Sequence, residues 1–554
     1  MTTRRDFITK ALMGGASIAV GSSTMGISPS SFKRNIVVNT PITDSQVATY
    51  PKPSIYNVSE QIVSLKVNDI NVPVIKEFSR YDYSYFSFGG NVTIEITASE
   101  PISSNNISPL AYGIKGNVDG NKLTFTLDRS RYLIVRINNF RDLVIAADTL
   151  ETDVPDFSSP YVFNVKNAPF NADATGASLS TKSIQMAIDK ASEVGGGTVY
   201  LPEGIFKSAN LMLKSNVNIY LAGGAVLRGA DDASVYKDHF RKDGFGLNGT
   251  WFIYTEQNAH NIKIFGRGTI DANGFNLRKT QKYLTNLIVP LNCTNFTIDG
   301  IICRDSGLWG VIPTRSNNII IRNTKHFNEN GDDLDCYEND AVDVQECSNV
   351  SIDHSIMISE DDTFSTKTWE ETTDIARQWP GSPQKLENVM VNDCVAWSRC
   401  ATYKIGFGNF QEQKNIIVKN SISYGSSRAI AINPRYGNTC VSNITFENID
   451  IEGFSPKISR VPKWLEIYNS ARDTYGGPVT GITIKNINVR DFGETPSVIQ
   501  GSKRGSEVLY INGVSFVNIR VPNKQEFASS LEEMNIEKNA YTRNVYISNQ
   551  KDSN

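Results

Sequence analysis

Histidine is nearly absent from this chain: four occur in 554 residues, at His239, His260, His326 and His354. None pairs with another at metal-ligand spacing, which argues against a zinc centre or a histidine-based triad. Charge of one sign is lacking too. Lysine and arginine number 55 against 58 aspartates and glutamates, a formal net charge of −3, with no polybasic block. Nucleic acid and anionic membrane surfaces are therefore excluded as main partners. No apolar run is long enough to span a bilayer, so no membrane insertion is expected. Cysteine is sparse and odd in number, seven in all between Cys293 and Cys440, which predicts buried thiols rather than a disulfide framework.

What the chain does have is length, tyrosine and strand-like alternation. At 554 residues it exceeds one compact core, so two or more units are expected. Its 22 tyrosines suit a surface that handles polar ligands, although tyrosine also packs well inside β proteins. At the N-terminus, Arg4-Arg5 stands ahead of a mildly apolar run from Ala11 to Val20. Twin arginines before such a run resemble a bacterial twin-arginine export signal. Residues 1–38 are accordingly expected to be an export signal and flexible leader, and the protein to be periplasmic or secreted.

Residues 39–160 are expected to form a β-sandwich. Val63-Leu65-Val67, Val92-Ile94-Ile96, Leu123-Phe125-Leu127 and Leu133-Val135-Ile137 each put apolar residues on one face. Gly89-Gly90 and Asp119-Gly120 break them as turns. Thr181 to Val194 then carries apolar residues at helical period and stops at Gly195-Gly196-Gly197.

From there to the end one phrase recurs: a turn Asn or Gly followed by apolar-polar-apolar. It begins at Asn216, Asn261, Asn295, Asn318, Asn349, Asn388, Asn415, Asn443, Gly481 and Gly513. The shorter intervals match one coil of a solenoid. Such coils cannot bury their apolar face alone, so they stack, and the turn asparagines are placed to form a ladder. Residues 161–554 are therefore predicted to be a right-handed parallel β-helix, the Thr181–Val194 helix capping its first coil.

Acids cluster around one of these phrases. Glu338-Asn339-Asp340-Ala341-Val342-Asp343 precedes the Asn349 phrase and Ser359-Glu360-Asp361-Asp362 follows it. Asp340 and Asp361 lie 21 residues apart, close to one coil, and coils stack at about 4.8 Å per layer. Crowded carboxylates raise at least one pKa, as a general acid needs, and glycoside hydrolysis uses one such acid with one ionised partner. A calcium site supplemented by Asp332, Asp333 and Asp335, or simply solvated turn aspartates, fits the same residues.

Four motifs in order resemble polygalacturonase-type glycoside hydrolases of family 28. Phe265-Gly266-Arg267-Gly268-Thr269-Ile270-Asp271-Ala272-Asn273-Gly274 is similar to their G-x-G-x-I-D-G-x-G, and Ser306 to Pro313, with Trp309, to their S-P-x-W-x-x-x-P. Asn339-Asp340 falls on N-T-D and Glu360-Asp361-Asp362 on G-D-D. The resemblance spans about Val162 to Asp450. It implies an inverting, three-aspartate hydrolase without a cofactor or metal: Asp361 as acid, with Asp340 and Asp362 holding and deprotonating water. Asp343, Lys367, Trp309, Tyr403, Lys404, Arg435 and Trp379 are the expected substrate-binding residues, with Tyr403 and Lys404 facing the cleft while Ala401 and Ile405 point inward. The stretch Thr366 to Leu386 reads as an insertion that walls the cleft, with Trp369 and Trp379 as stacking platforms.

Two departures stand out. The family's G-H-G falls on Cys400-Ala401-Thr402 and its R-I-K near Ala431-Ile432-Asn433. The histidine and the cationic pair for galacturonate are thus missing, and Lys404 with Arg435 are the nearest replacements. Dextranases and isopullulanases, of family 49 type, share the aspartates without those residues. The expected partner is a polysaccharide or oligosaccharide, pectin-like or a neutral α-glucan. The alternatives are a calcium-dependent polysaccharide lyase and a non-catalytic carbohydrate-binding β-helix; the sequence leaves the oligomeric state open and is compatible with a monomer.

Overall fold

The computed structural model describes residues 46–77, 80–328, 338–455, 461–469 and 476–549. Arg4-Arg5 and the expected leader, and Asp332, Asp333 and Asp335, lie outside them. Residues Asp44–Asn554 form one compact unit.

Two antiparallel-rich sheets open the unit. One has Gln46–Thr49, Tyr81–Gly89, Asp142–Thr149, Arg131–Ile137 and Asn105–Ser108 in spatial order; the other has Ile70–Val72, Ile62–Val67, Val92–Ala98, Lys122–Leu127 and Asn117–Asp119. Alternating residues such as Leu65, Ile94, Phe125 and Leu133 fill the space between them. The first strand departs from simple alternation. A register irregularity between Ile62 and Ser64 turns Ile62 inward and leaves Val63 68% exposed, because an extra residue in one strand flips the side chains before it.

Tyr81–Gly89 is buried on both faces. Phe86 and Phe88 enter the sandwich core, while Tyr81, Tyr83 and Tyr85 pack against Phe327 and Trp397 of the coils, with the Tyr83 and Phe327 rings 4.7 Å apart. Buried ion pairs reinforce the join: Lys325 Nζ donates to Asp148 at 2.6 Å and Arg304 to Glu77 at 2.7 Å.

The coils begin at Val162–Asn164. The helix Thr181–Glu193 buries Ile184, Ala187, Ile188 and Ala191 over the first of them, as its spacing predicts, so that the first coil's apolar end does not meet water. The rest is a right-handed parallel β-helix. Its main wall is a sheet of 21 strands paired in parallel from coil to coil. The turn asparagines form the expected ladder: Asn216, Asn261, Asn295, Asn388 and Asn415 have φ of 57–63°, the left-handed region that asparagine tolerates. Amides donate from one coil to the previous one, at 3.0 Å for Asn261 to Asn216 and 2.9 Å for Asn295 to Asn261. A second ladder, Asn420, Asn448, Asn486 and Asn518, runs beside it.

The opposite wall bears the acids. Strands Val342–Gln345, Phe364–Thr368, Ala401–Asn409, Arg428–Ile432, Lys463–Tyr468 and Ser497–Gln500 stack along it. Bridges from Ile288 to Val311 to Val342 join it to an earlier sheet containing Leu247–Thr255 and Leu284–Val289. No disulfide joins any two of the six cysteines among the described residues, and five of the six are buried.

Candidate active site

The aspartates converge because successive coils bring the residue before each wall strand to the same corner. Ala341 N donates to Asp362 O and Thr363 N to Ala401 O, each at 3.0 Å. Asp340, Asp361 and Asp362 are only 3, 8 and 2% exposed. Cys400 joins them from the next coil: its Sγ and carboxylate oxygens of Asp361 and Asp362 lie within 4.8 Å of one another.

Period-two alternation sets the cleft floor. Val342, Phe364, Tyr403, Ile430 and Leu465 are in register and form the inward column, so Asp343, Ser365, Lys404, Ala431 and Glu466 form the outward one. Lys367 reaches back from Phe364–Thr368 to give Asp340 a contact of 2.6 Å and Asp343 one of 2.7 Å. The Trp309 ring lies 4.5 Å from its ammonium, and Ser365 Oγ donates to Asp343. Lys404 Nζ donates to Asp362 Oδ2 at 2.6 Å and stands 3.6 Å from the Phe407 ring. The other oxygen of Asp362 is buried without a hydrogen bond. Asp361 Oδ2 accepts from Glu338 N at 3.3 Å, and its carbonyl accepts from Ser359 and Ser398.

Four buried carboxyls therefore face two lysines. Burial and the neighbouring Asp343 push the Asp340 carboxyl well above the usual carboxylate range, against the pull of Lys367. Burial alone would lower Lys367, but Asp340 and Asp343 raise it, so it stays charged. Asp340 therefore keeps its proton to higher pH than an isolated carboxyl does.

Several expected residues sit where the sequence put them. Asp343, Lys367, Lys404 and Trp309 line or flank the three aspartates. Arg435 lies one coil on, its guanidinium 5.2 Å from the same Phe407 ring that Lys404 faces.

Tyr403 does not belong to the cleft. It is fully buried and its hydroxyl donates to Ile422 O at 2.9 Å. Tyr403 and Ile405 share strand parity, so both enter the core and only Lys404 between them can face out. Trp379 is no open platform either. It is 8% exposed and packs with Ile375, Ala376 and Trp309, 5.6 Å from the Arg315 guanidinium. The insertion is shorter than expected, since Phe364–Thr368 is wall strand and the next strand opens at Leu386.

Sequence reading missed Arg428 and Glu466. Arg428 donates to Cys400 Sγ at 3.3 Å and to Glu466 Oε1 at 3.1 Å. No motif marks either residue; only the alternation of Ala429-Ile430-Ala431-Ile432 hints at a wall strand there. Ala431 and Asn433 stand beside Lys404 where the resemblance leads one to expect cations. Asp361, Asp362 and Cys400 are the one group of acid and thiol ligands close enough for a metal among the described residues. A buried thiol is a poor partner for calcium, which takes oxygen ligands, and Lys404 already neutralises Asp362.

The family model described as Glycosyl hydrolases family 28 matches residues 247–526, just over half of the chain and all of this corner. The chain belongs to glycosyl hydrolase family 28. A probable polygalacturonase of Vitis vinifera is 23% identical over 343 residues, 58% of this chain and 67% of that protein. An exo-poly-alpha-D-galacturonosidase of Dickeya chrysanthemi is 32% identical over 125 residues, 21% of this chain and 20% of that protein. Among solved structures, the Yersinia enterocolitica family 28 exopolygalacturonase superposes with a TM-score of 0.51 at 13% identity, covering 89% of this chain and 99% of that one. Dex49A from Penicillium minioluteum gives 0.55 at 12%, covering 90% and 96%. Both likenesses show the fold, sandwich and coils together. This family 28 member is thus a glycoside hydrolase.

Proposed function

We propose that this chain hydrolyses a glycosidic bond of a polysaccharide or oligosaccharide with inversion at the anomeric carbon. The observation that carries this is the convergence of Asp340, Asp361 and Asp362 from adjacent coils, with Lys367 on the first and Lys404 on the third. A water oxygen bonds to the anomeric carbon as the bond to the leaving oxygen breaks. The leaving oxygen keeps that electron pair and takes the proton of Asp361. Asp340 and Asp362 hold the water, and Asp362, paired with Lys404, receives its proton.

The lysines also bear on the lyase alternative. A lyase base must be an unpaired amine, whereas Lys367 and Lys404 are bound to carboxylates at 2.6–2.7 Å. The substrate is a pectin-like chain or a neutral α-glucan: Arg435 suits an anionic sugar, while Ala431 and Asn433 suit a neutral one. Export is part of the same proposal, supported by Arg4-Arg5 and the run behind them. Arg4→Lys with Arg5→Lys should hold the protein in the cytoplasm, and unchanged export would reject it.

The test is reducing-end release from polygalacturonate, dextran, pullulan and alginate, with the anomer of the first product read by NMR. Asp361→Asn should lower kcat by roughly 10²–10⁴-fold. A calcium-dependent rise in ultraviolet absorbance from unsaturated product, without inverted reducing ends, would overturn the proposal.

A further inference from the structure

The wall that carries the aspartates is covered on one side of them and open on the other. Going back one coil at a time from Val342, the wall passes through Val311 and Ile288 to the strands Leu284–Val289 and Leu247–Thr255. Every residue of Leu284–Val289 is buried. Trp251 and Leu284 belong not to the solenoid core but to a second apolar cluster with Trp309. That cluster is completed by Phe240, from a hairpin that pairs with Leu247–Thr255, and by Ile375 of the insertion that follows the aspartates. Wall strands that would be the floor of an open groove are thus roofed by two segments distant in sequence.

Polar contacts hold the roof at the aspartates. Asp243 N, next to the hairpin strand, donates to Asp374 at 2.8 Å, and Arg377 pairs with Asp243 at 2.7 Å. Lys242 lies 3.4 Å from Glu338, whose backbone N–H donates to Asp361. The same Lys242 ammonium is 5.5 Å from the Trp309 ring, and Lys367 faces that ring as well. The roof therefore ends within one tryptophan of Asp340. In the opposite direction the outward Lys404 and Ala431 are still buried, and exposure rises further on: among the described residues Glu466 and Val498 are half-buried and Tyr468 is exposed.

We infer that the cleft admits only one end of its polysaccharide and that this hydrolase is exo-acting, with the hairpin at Phe240–Lys242 and the insertion around Ile375 as its end stop. This rests on the hydrolase proposal above. Only the coils from Trp309 to Asp362 separate the stop from the reacting bond, about 10 Å at the spacing of stacked strands. That length holds a mono- or disaccharide, so the same short product should leave at every turnover. A groove open at both ends would pass a chain through and cut it internally.

The experiment uses the full-length protein on the glycan from which it releases reducing ends, following reducing ends and viscosity together and separating the products. One short sugar should dominate from the earliest time, and relative viscosity should fall by no more than the fraction of bonds cut. Early production of mixed long oligosaccharides with a steep viscosity drop would overturn the end stop while leaving the hydrolase proposal intact. Release of no reducing ends from any glycan would overturn the hydrolase proposal, and the end stop with it. Asp374→Ala with Arg377→Ala, which loosens the insertion from the hairpin, should raise the share of longer products at least several-fold; an unchanged product pattern in the folded variant would count against the assignment of these residues.

Discussion

Lys367→Met removes the cation shared by Asp340 and Asp343 while keeping most of the stem packed beside Trp309. Two carboxylates, 3 and 1% exposed, then lose ammonium contacts of 2.6 and 2.7 Å. Deleting one partner of a buried ion pair costs about 3–5 kcal/mol, because the remaining charge stays buried. Melting entropy of about 2.1 cal/mol/K per residue gives ~1 kcal/mol per degree for a unit of about 500 residues, so Tm should drop by ~3–5 °C near neutral pH. The effect carries a pH signature. Without Lys367 the Asp340 carboxyl moves further above its unfolded value, so the folded variant binds more protons than the unfolded chain from about pH 4 upward. Stability is then lost as pH rises through that window. The deficit against wild type should be largest near pH 7.5 and shrink toward pH 4.5. Thermal melts of both proteins at three pH values measure it. A deficit of the same size at every pH, or one below about 1 °C at pH 7.5, would refute the charge argument.

Three further outcomes follow from the same structure. Glu77 is buried against Arg304, and burial pushes its carboxyl up to about 7; its stabilising protonated form is lost as pH rises from about 4.5 to 7, an effect on the order of 3 kcal/mol. Glu77→Gln should therefore flatten the decline of Tm between pH 5 and 8, and an equal slope in the two proteins would contradict this. Tyr403→Phe removes the hydroxyl bonds to Ile422 O and Cys394 O and should cost about 1 kcal/mol of stability with KM unchanged; a large KM rise at unchanged Tm would put Tyr403 back in the cleft. Activity should survive dialysis against EDTA, because Lys367 and Lys404 already supply the positive charge among the aspartates, and loss restored by calcium would favour an ion at Asp361 and Asp362.

Much of the architecture was legible before any coordinates because its rules are local. An asparagine in the left-handed region followed by apolar-polar-apolar residues specifies a turn and a strand from five or six neighbours, and the repeats from Asn216 to Gly513 spell out the coils. The helix ahead of Gly195 was equally plain. Tyr403 was misplaced because the flanking Cys400-Ala401-Thr402-Tyr403-Lys404 run offers both parities a plausible inward residue. Only pairing with Phe364 in the coil before and Ile430 in the coil after selects one. Trp379 could not be placed from sequence either, since apart from Ile375 and Ala376 the buried members of its apolar cluster, Trp309 and Phe240 among them, come from segments more than sixty residues away.

By itself the sequence determined that acids would gather on one coil corner, because Asp340 and Asp362 differ by the length of a turn that the repeats already set. Tertiary structure alone decided which lysine neutralises which aspartate, that Cys400 and Arg428 complete the corner, and that the hairpin and the insertion close one end of the groove. Coil length is a property of consecutive residues. The choice of partners depends on stacking between coils and on segments folded back over them, and those contacts exist only once the whole solenoid has closed.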